Sequence, residues 1–298
     1  MIRVTHFSAP ACPWAWSNGP AFAVLQWRYG AQLEWRHVMI GLGETADHYR
    51  RRGTTGESQA RGYRSFRRRG MPFATAPRDR PHATWPMCRV VVAARRLAPG
   101  SEWAVFRALQ LAQFTSTLTL DEPAGLEQAL AWLPGIDAAA LVAASAEPET
   151  EEIFARDRAL ARSAAGRPTE FQGRSATTPH GEVRYTAPSL IFTAEDGSSL
   201  EVGGFQPLEA YDVAIANLDR TLDRRPPAAD AADVVAAFPD GLATAEVAAV
   251  MCLHLQPADR DGAEDSLIAA VAAGAVERRP FGNDALWTPA AAAAAIAA

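Results

Sequence analysis

One cysteine stands where an apolar strand gives way to a helix. Val4-Thr5-His6-Phe7-Ser8 reads as a short strand, Ala9-Pro10-Ala11 as a turn, and Cys12-Pro13-Trp14-Ala15-Trp16 as the first turn of a helix. Pro13 suits the first helical position, where its missing N–H is no loss. A helix start offers unpaired backbone N–H groups and the positive end of the macrodipole. Both favour a thiolate, the reactive form of cysteine. Cys12 is therefore the candidate nucleophile, with a thiol expected to be more acidic than usual.

The other reactive residue types carry weaker signals. Cys88 opens a long helical pattern and reads as packing or as a distant second thiol; Cys252 lies beside Val247, Val250 and Met251 and reads as core. His6, His48, His82 and His254 show no metal-ligand spacing, nor does Cys12 with His6, so no metal site is expected. Trp14 and Trp16 either line an apolar pocket beside the thiol or pack in the core. The arginines at 50–52 and between Arg61 and Arg69 either hold an anionic conjugate or form a solvated helix face.

The elements that position Cys12 follow from periodicity. Strand one is expected over 2–8, a helix from Cys12 or Pro13 to near Gly30, and a strand over 33–39, which makes a right-handed crossover with parallel strands. A polar, arginine-rich stretch follows from Glu44 to Arg69. Helical patterns then run over 84–97, 102–114, 122–133, 137–145 and 149–164. Strand signals return at 186–193 and 200–202 around the hairpin pair Asp196-Gly197, and an amphipathic helix spans 207–218. This is the plan of an α/β thioredoxin fold with a large helical insertion at about 44–165, within a domain covering 1–222. Arg224 to Asp230 reads as a linker. Helical patterns over 231–238, 244–253 and 263–273 and a hairpin turning at 281–284 then suggest a small winged-helix-like domain over 231–298.

Composition sets limits. The chain has 298 residues, enough for two modest domains, with 48% hydrophobic and 21% charged residues. Formal net charge is -5, which argues against general nucleic-acid binding. Asp259, Asp261, Glu264 and Asp265 around the last helix would repel phosphate. All 29 basic residues are arginine, a compositional bias that carries no functional argument. No secretion signal or membrane span is expected, the alanine-rich tail over 290–298 being too short. Three widely separated cysteines do not suggest a disulfide framework, so a cytoplasmic setting is expected.

Cys12-Pro13-Trp14 after a strand, the helical insert, Gly70-Met71-Pro72-Phe73, Ala187-Pro188 before a strand, and Gly203-Gly204 ahead of a Pro-Leu-Glu-Ala-Tyr helix together resemble the DsbA-like branch of the thioredoxin superfamily. Its cytoplasmic members include relatives of 2-hydroxychromene-2-carboxylate isomerase and kappa-class glutathione transferases. The resemblance covers about 1–220 and leaves out the C-terminal module. It implies that Pro188 is a cis-proline facing the thiol and that Ala187 offers its backbone to a substrate, as strand addition does. Cys12 would be catalytic, with Pro13, Trp14, Ala187 and Pro188 at the substrate.

One departure matters. The oxidoreductases of that branch carry a second cysteine three residues after the first, and this chain has Ala15. Without it, a mixed disulfide has no neighbouring thiol to resolve it. The expectation is a thiol-disulfide oxidoreductase or thiol transferase acting through Cys12 alone. It would bind no resident cofactor and use a low-molecular-weight thiol of the glutathione or mycothiol type as co-substrate, on a protein or small-molecule disulfide. The alternatives are a non-enzymatic adaptor, whose C-terminal domain binds a protein partner, and a glutathione-dependent isomerase or transferase. The last is weakened because those relatives usually carry serine at the position of Cys12.

Overall fold

A computed structural model describes residues 1–281 and 284–290. The expected turn at Gly282 and Asn283 and the tail over 291–298 lie outside the described residues. Strand β1 (Ile2–Ser8) leads through Cys12 into helices α1 (Pro13–Ser17) and α2 (Gly19–Tyr29), then β2 (Leu33–Met39). The single helix expected from Cys12 to Gly30 breaks at Asn18. Pro20 has no N–H to give the Trp16 carbonyl one turn back. The freed turn is held from outside, where Asn18 Nδ2 donates to the Tyr211 hydroxyl at 2.7 Å.

Helices α3 (Ala46–Arg50), α4 (Gly56–Phe66), α5 (Trp85–Leu97), α6 (Glu102–Thr115), α7 (Pro123–Leu130), α8 (Ala138–Ala144), α9 (Pro148–Ala161) and α10 (Pro168–Phe171) form the insert. A hairpin, β3 (Ser175–Thr177) and β4 (Val183–Tyr185), precedes β5 (Ser189–Thr193), β6 (Ser199–Gly203) and α11 (Leu208–Leu218). The main sheet has the order β2-β1-β5-β6. β1 runs parallel to β2, with His6 opposite His37, and antiparallel to β5, with Val4 opposite Phe192.

Alternation along β1 divides the core. Ile2 and Val4 face α2 and α11 among Phe22, Leu25, Tyr211 and Ile215. Phe7, on the opposite face, packs with the helices of the insert. The insert is also tied to β2 by polar contacts. Met39 N donates to Asp157 Oδ2 at 2.9 Å, and Arg95 Nη2 donates to the His37 carbonyl at 2.9 Å.

Beyond the linker come α12 (Ala231–Ala236), β7 (Leu242–Ala243), α13 (Thr244–Met251), α14 (Arg260–Ala272), β8 (Val276–Phe281) and β9 (Asp284–Pro289). Their sheet has the order β7-β9-β8. This unit does not stand apart. Ala23, Val24 and Trp27 of α2 share one apolar cluster with Val234, Val247, Leu267 and Trp287. Trp27 Nε1 donates to the Pro226 carbonyl at 2.8 Å, and buried Arg107 of the insert pairs with buried Glu246 at 2.6 Å. Gly19 permits that approach, since a Cβ there would lie 2.5 Å from Glu246 Oε1. Cys252 is not core: it caps α13 half-exposed, its thiol donating to the Leu253 and Gln256 carbonyls at 3.2 and 3.1 Å. The helix ends one residue before it, which turns its side chain off the apolar face. Among the described residues, no helix is long and apolar enough to cross a membrane.

Candidate active site

Cys12 is the N-cap residue of α1, with φ −85° and ψ 113°. Its N–H donates to the Ala9 carbonyl at 3.0 Å, closing the turn, and its carbonyl accepts from Trp16 N at 3.1 Å, opening the helix. The thiol is thus fixed at the end of β1. Across from it, β5 begins after Ala187 and Pro188, whose peptide bond is cis. Cys12 Sγ donates to the Ala187 carbonyl at 3.1 Å, and both residues are buried. Pro188 is buried beside them. Cys12, Ala187 and Pro188, far apart in sequence, therefore form one site.

The electrostatics oppose the expectation of an acidic thiol. Only 5% of Cys12 is exposed, and burial pushes its thiol up to about 11. The backbone N–H groups of Ala15 and Trp14 pull the other way, as a helix start should, and so does the Arg184 guanidinium. Desolvation wins because the insert closes over the residue. In the resting site the thiol is protonated, with Ala187 as its acceptor.

Pro13 lines a cavity of about 360 Å³ together with Ala11, Leu42, Tyr49, Tyr63 and His82. The cavity opens between α1 and the insert. Trp14 points elsewhere. It is 40% exposed, meets Phe66 edge-on at 5.0 Å and Phe205 at 5.6 Å, and shares with Phe205 the Arg69 guanidinium, 4.3 Å from its own ring and 4.6 Å from that of Phe205. It makes an aromatic surface beside the site. Trp16 is core: it stacks on Phe114 at 5.9 Å, and its indole N–H donates to the Pro72 carbonyl at 2.8 Å.

The remaining candidates separate. Cys88 is fully buried in α5, and burial pushes its thiol up to about 12. Cys12, Cys88 and Cys252 are all free thiols. His6 and His37 pack within the core, their Nδ1 atoms 3.2 Å apart, and among the described residues no group of three or more His, Cys, Asp or Glu is arranged to hold a metal. The arginine stretch divides. Arg61 pairs with Glu57, Arg67 bonds the Phe73 carbonyl, Arg69 stacks on Trp14, and Arg52 lines a cleft near the site.

The sequence reading passed over Arg184 and Tyr49. Tyr49 and Leu42 border both the cavity beside Pro13 and a larger cleft containing Arg184. The alternating run Val183-Arg184-Tyr185, just ahead of Ala187-Pro188, was the available signal for a strand that carries a charge into the site.

No family model matches the chain, and no curated protein matches it in sequence. Solved structures do match its backbone. A candidate protein disulfide isomerase from Nitrosomonas europaea is 18% identical, with a TM-score of 0.54 over 72% of this chain and 96% of the other. The cytosolic disulfide reductase DsbM from Pseudomonas aeruginosa is 19% identical, with a TM-score of 0.50 over 74% and 98%. A probable DsbA oxidoreductase from Streptomyces coelicolor is 20% identical, with a TM-score of 0.51 over 76% and 93%. At such identities the likeness is one of architecture: the chain has a DsbA-like thioredoxin fold over roughly three-quarters of its length, extended by C-terminal helices and strands.

Proposed function

We propose that the protein is a thiol-disulfide oxidoreductase that works through Cys12 alone, with a low-molecular-weight thiol of the glutathione or mycothiol type as resolving partner. The observation that carries this reading is the placement of Cys12 Sγ at a helix N-terminus, 3.1 Å from the Ala187 carbonyl beside a cis-proline. The neighbouring folds are described as a disulfide isomerase, a disulfide reductase and a DsbA oxidoreductase, which supports the same chemistry. A cytoplasmic setting and a winged-helix-like role for the C-terminal unit in binding a protein partner belong to the same proposal.

The resting hydrogen bond suggests how the thiol is released. A substrate strand pairing with Ala187 brings a backbone N–H to the carbonyl that Cys12 now occupies. The thiol loses its acceptor, and its proton passes to solvent. The Cys12 thiolate then attacks one sulfur of the substrate disulfide. A Cys12–substrate disulfide forms, and the other substrate sulfur leaves as a thiolate that takes up a proton. With alanine at 15, a small thiol attacks the mixed disulfide, restores Cys12 and leaves joined to the substrate sulfur.

Trapping tests this. The protein incubated with a small disulfide should gain the mass of one half-disulfide on Cys12, a mass that added small thiol removes. Cys12→Ser should gain none at that position. Absence of any adduct on Cys12 at pH 8 to 9 overturns the reading. The burial of Cys12 favours a second reading, a binding scaffold without turnover. Under it, Cys12→Ser retains full biological activity.

A further inference from the structure

The largest cleft near the site carries more positive than negative charge. It holds about 800 Å³ between the insert and the β3–β4 hairpin. Arg89, Arg158 and Arg162 line it from the insert, Arg52 from just beyond α3, and Arg184 from β4. Three carboxylates face these five guanidinium groups. Glu151 is shared by Arg89 at 2.7 Å and Arg158 at 2.8 Å, and Glu182 pairs with Arg162 at 3.2 Å. Glu44 stands exposed, with no ion pair among the described residues. Arg52 and Arg184 likewise have no carboxylate partner there. Among the described residues, the Arg184 side chain has one hydrogen bond, to the Tyr185 carbonyl at 2.9 Å.

Two positive charges are therefore left over, one of them on a half-buried arginine. Burying a guanidinium without a counter-charge is costly. Burial, and then the neighbouring Arg162 and Arg52, work against the charged form of Arg184 and outweigh the support it has from Cys12 and Tyr49. Deeper in the wall, the Trp85 indole N–H and Arg158 Nε are buried donors without an acceptor. Glu44 apart, the unmet demands in the cleft are for negative charge or for a hydrogen-bond acceptor.

We propose that this cleft is a binding site for a small polyanion, a molecule with two or more carboxylate or phosphate groups, held chiefly by Arg184 and Arg52 and reaching toward Arg162. A guanidinium recognises both kinds of group through paired N–H donors. A single carboxylate would leave one of the two arginines uncompensated, so a monoanion binds weakly. The site shares Arg184 with the thiol, whose ionised form that guanidinium favours, but anion binding there does not require sulfur exchange at Cys12.

Calorimetric titration of the full chain with citrate and with pyrophosphate, at ionic strength held constant with sodium chloride, tests it. One or both should bind saturably at one site, and acetate should not; the preferred probe tells carboxylate from phosphate recognition. Arg52→Gln and Arg184→Gln should each weaken binding by about tenfold or more, the loss expected for one charge-assisted hydrogen bond. Arg52 is exposed, so its substitution leaves the fold intact even if Arg184→Gln does not fold. Arg3→Gln, on the exposed β1 residue that faces Glu34 at 3.8 Å, should change nothing. No saturable binding by either probe, or binding that Arg52→Gln leaves within twofold, overturns the proposal.

Discussion

The reactivity of Cys12 toward a neutral alkylating agent follows from its burial. With the thiol held at about 11, only about one molecule in 3,000 carries a thiolate at pH 7.5. A free cysteine near 8.5 is about one-tenth ionised there, roughly 300-fold more. The more basic thiolate is the better nucleophile by roughly tenfold, which leaves Cys12 about 30-fold slower before any steric hindrance is counted. The assay is iodoacetamide labelling at a series of pH values, read on the Cys12 peptide by mass spectrometry against a short capped peptide holding one cysteine. The rate should rise about tenfold per pH unit and still be rising at pH 10. Arg184→Gln should slow it further, because the guanidinium is one of the groups that favour the thiolate. A rate that levels off below pH 8.5 would refute the reasoning, since the helix N-terminus would then have outweighed desolvation.

Three further outcomes are expected. Glu246→Gln leaves buried Arg107 without its partner and should cost about 3–5 kcal/mol in urea unfolding. Trp16→Ala should lose about 3–5 kcal/mol from the core, whereas Trp14→Ala, at an exposed site, should lose about 1 kcal/mol or less and instead weaken capture of disulfide substrates at Cys12. Burial holds His37 down at about 3 and His82 at about 4, while both would titrate near 6.5 in the unfolded chain. The unfolded state then binds more protons below pH 6.5. Stability is full above that value and should fall by about 4 kcal/mol from these two residues by pH 5, which denaturant midpoints at pH 7 and pH 5 will show.

Much of the arrangement around Cys12 was legible because it is written in local signals. A strand, a turn and Pro13 place the thiol at a helix start, and Ala187-Pro188 ahead of an apolar strand marks the opposing segment. The helices of the insert followed from their apolar periodicity, with ends shifted by a few residues. What escaped depends on contacts distant in sequence. The acidity of Cys12 is decided by how the insert covers it, which no feature of residues 10–16 reveals. Arg184 sits on a three-residue strand, too short for alternation to stand out. Cys252 looked apolar by its neighbours, but α13 stops just short of it.

The docking of the C-terminal unit has a consequence for how the chain melts. The linker over 224–230 marks a covalent boundary, but the apolar cluster of α13, α14 and β9 is completed by α2, the helix that follows the thiol. The face of β1 packed on α2 and the face packed on the insert belong to the same strand. No one of these bodies can lose its structure without stripping a wall from the next. The cooperative unit of folding is therefore larger than any domain drawn on the sequence, and heat or denaturant should meet a single transition in which thiol helix, insert and C-terminal sheet are lost together.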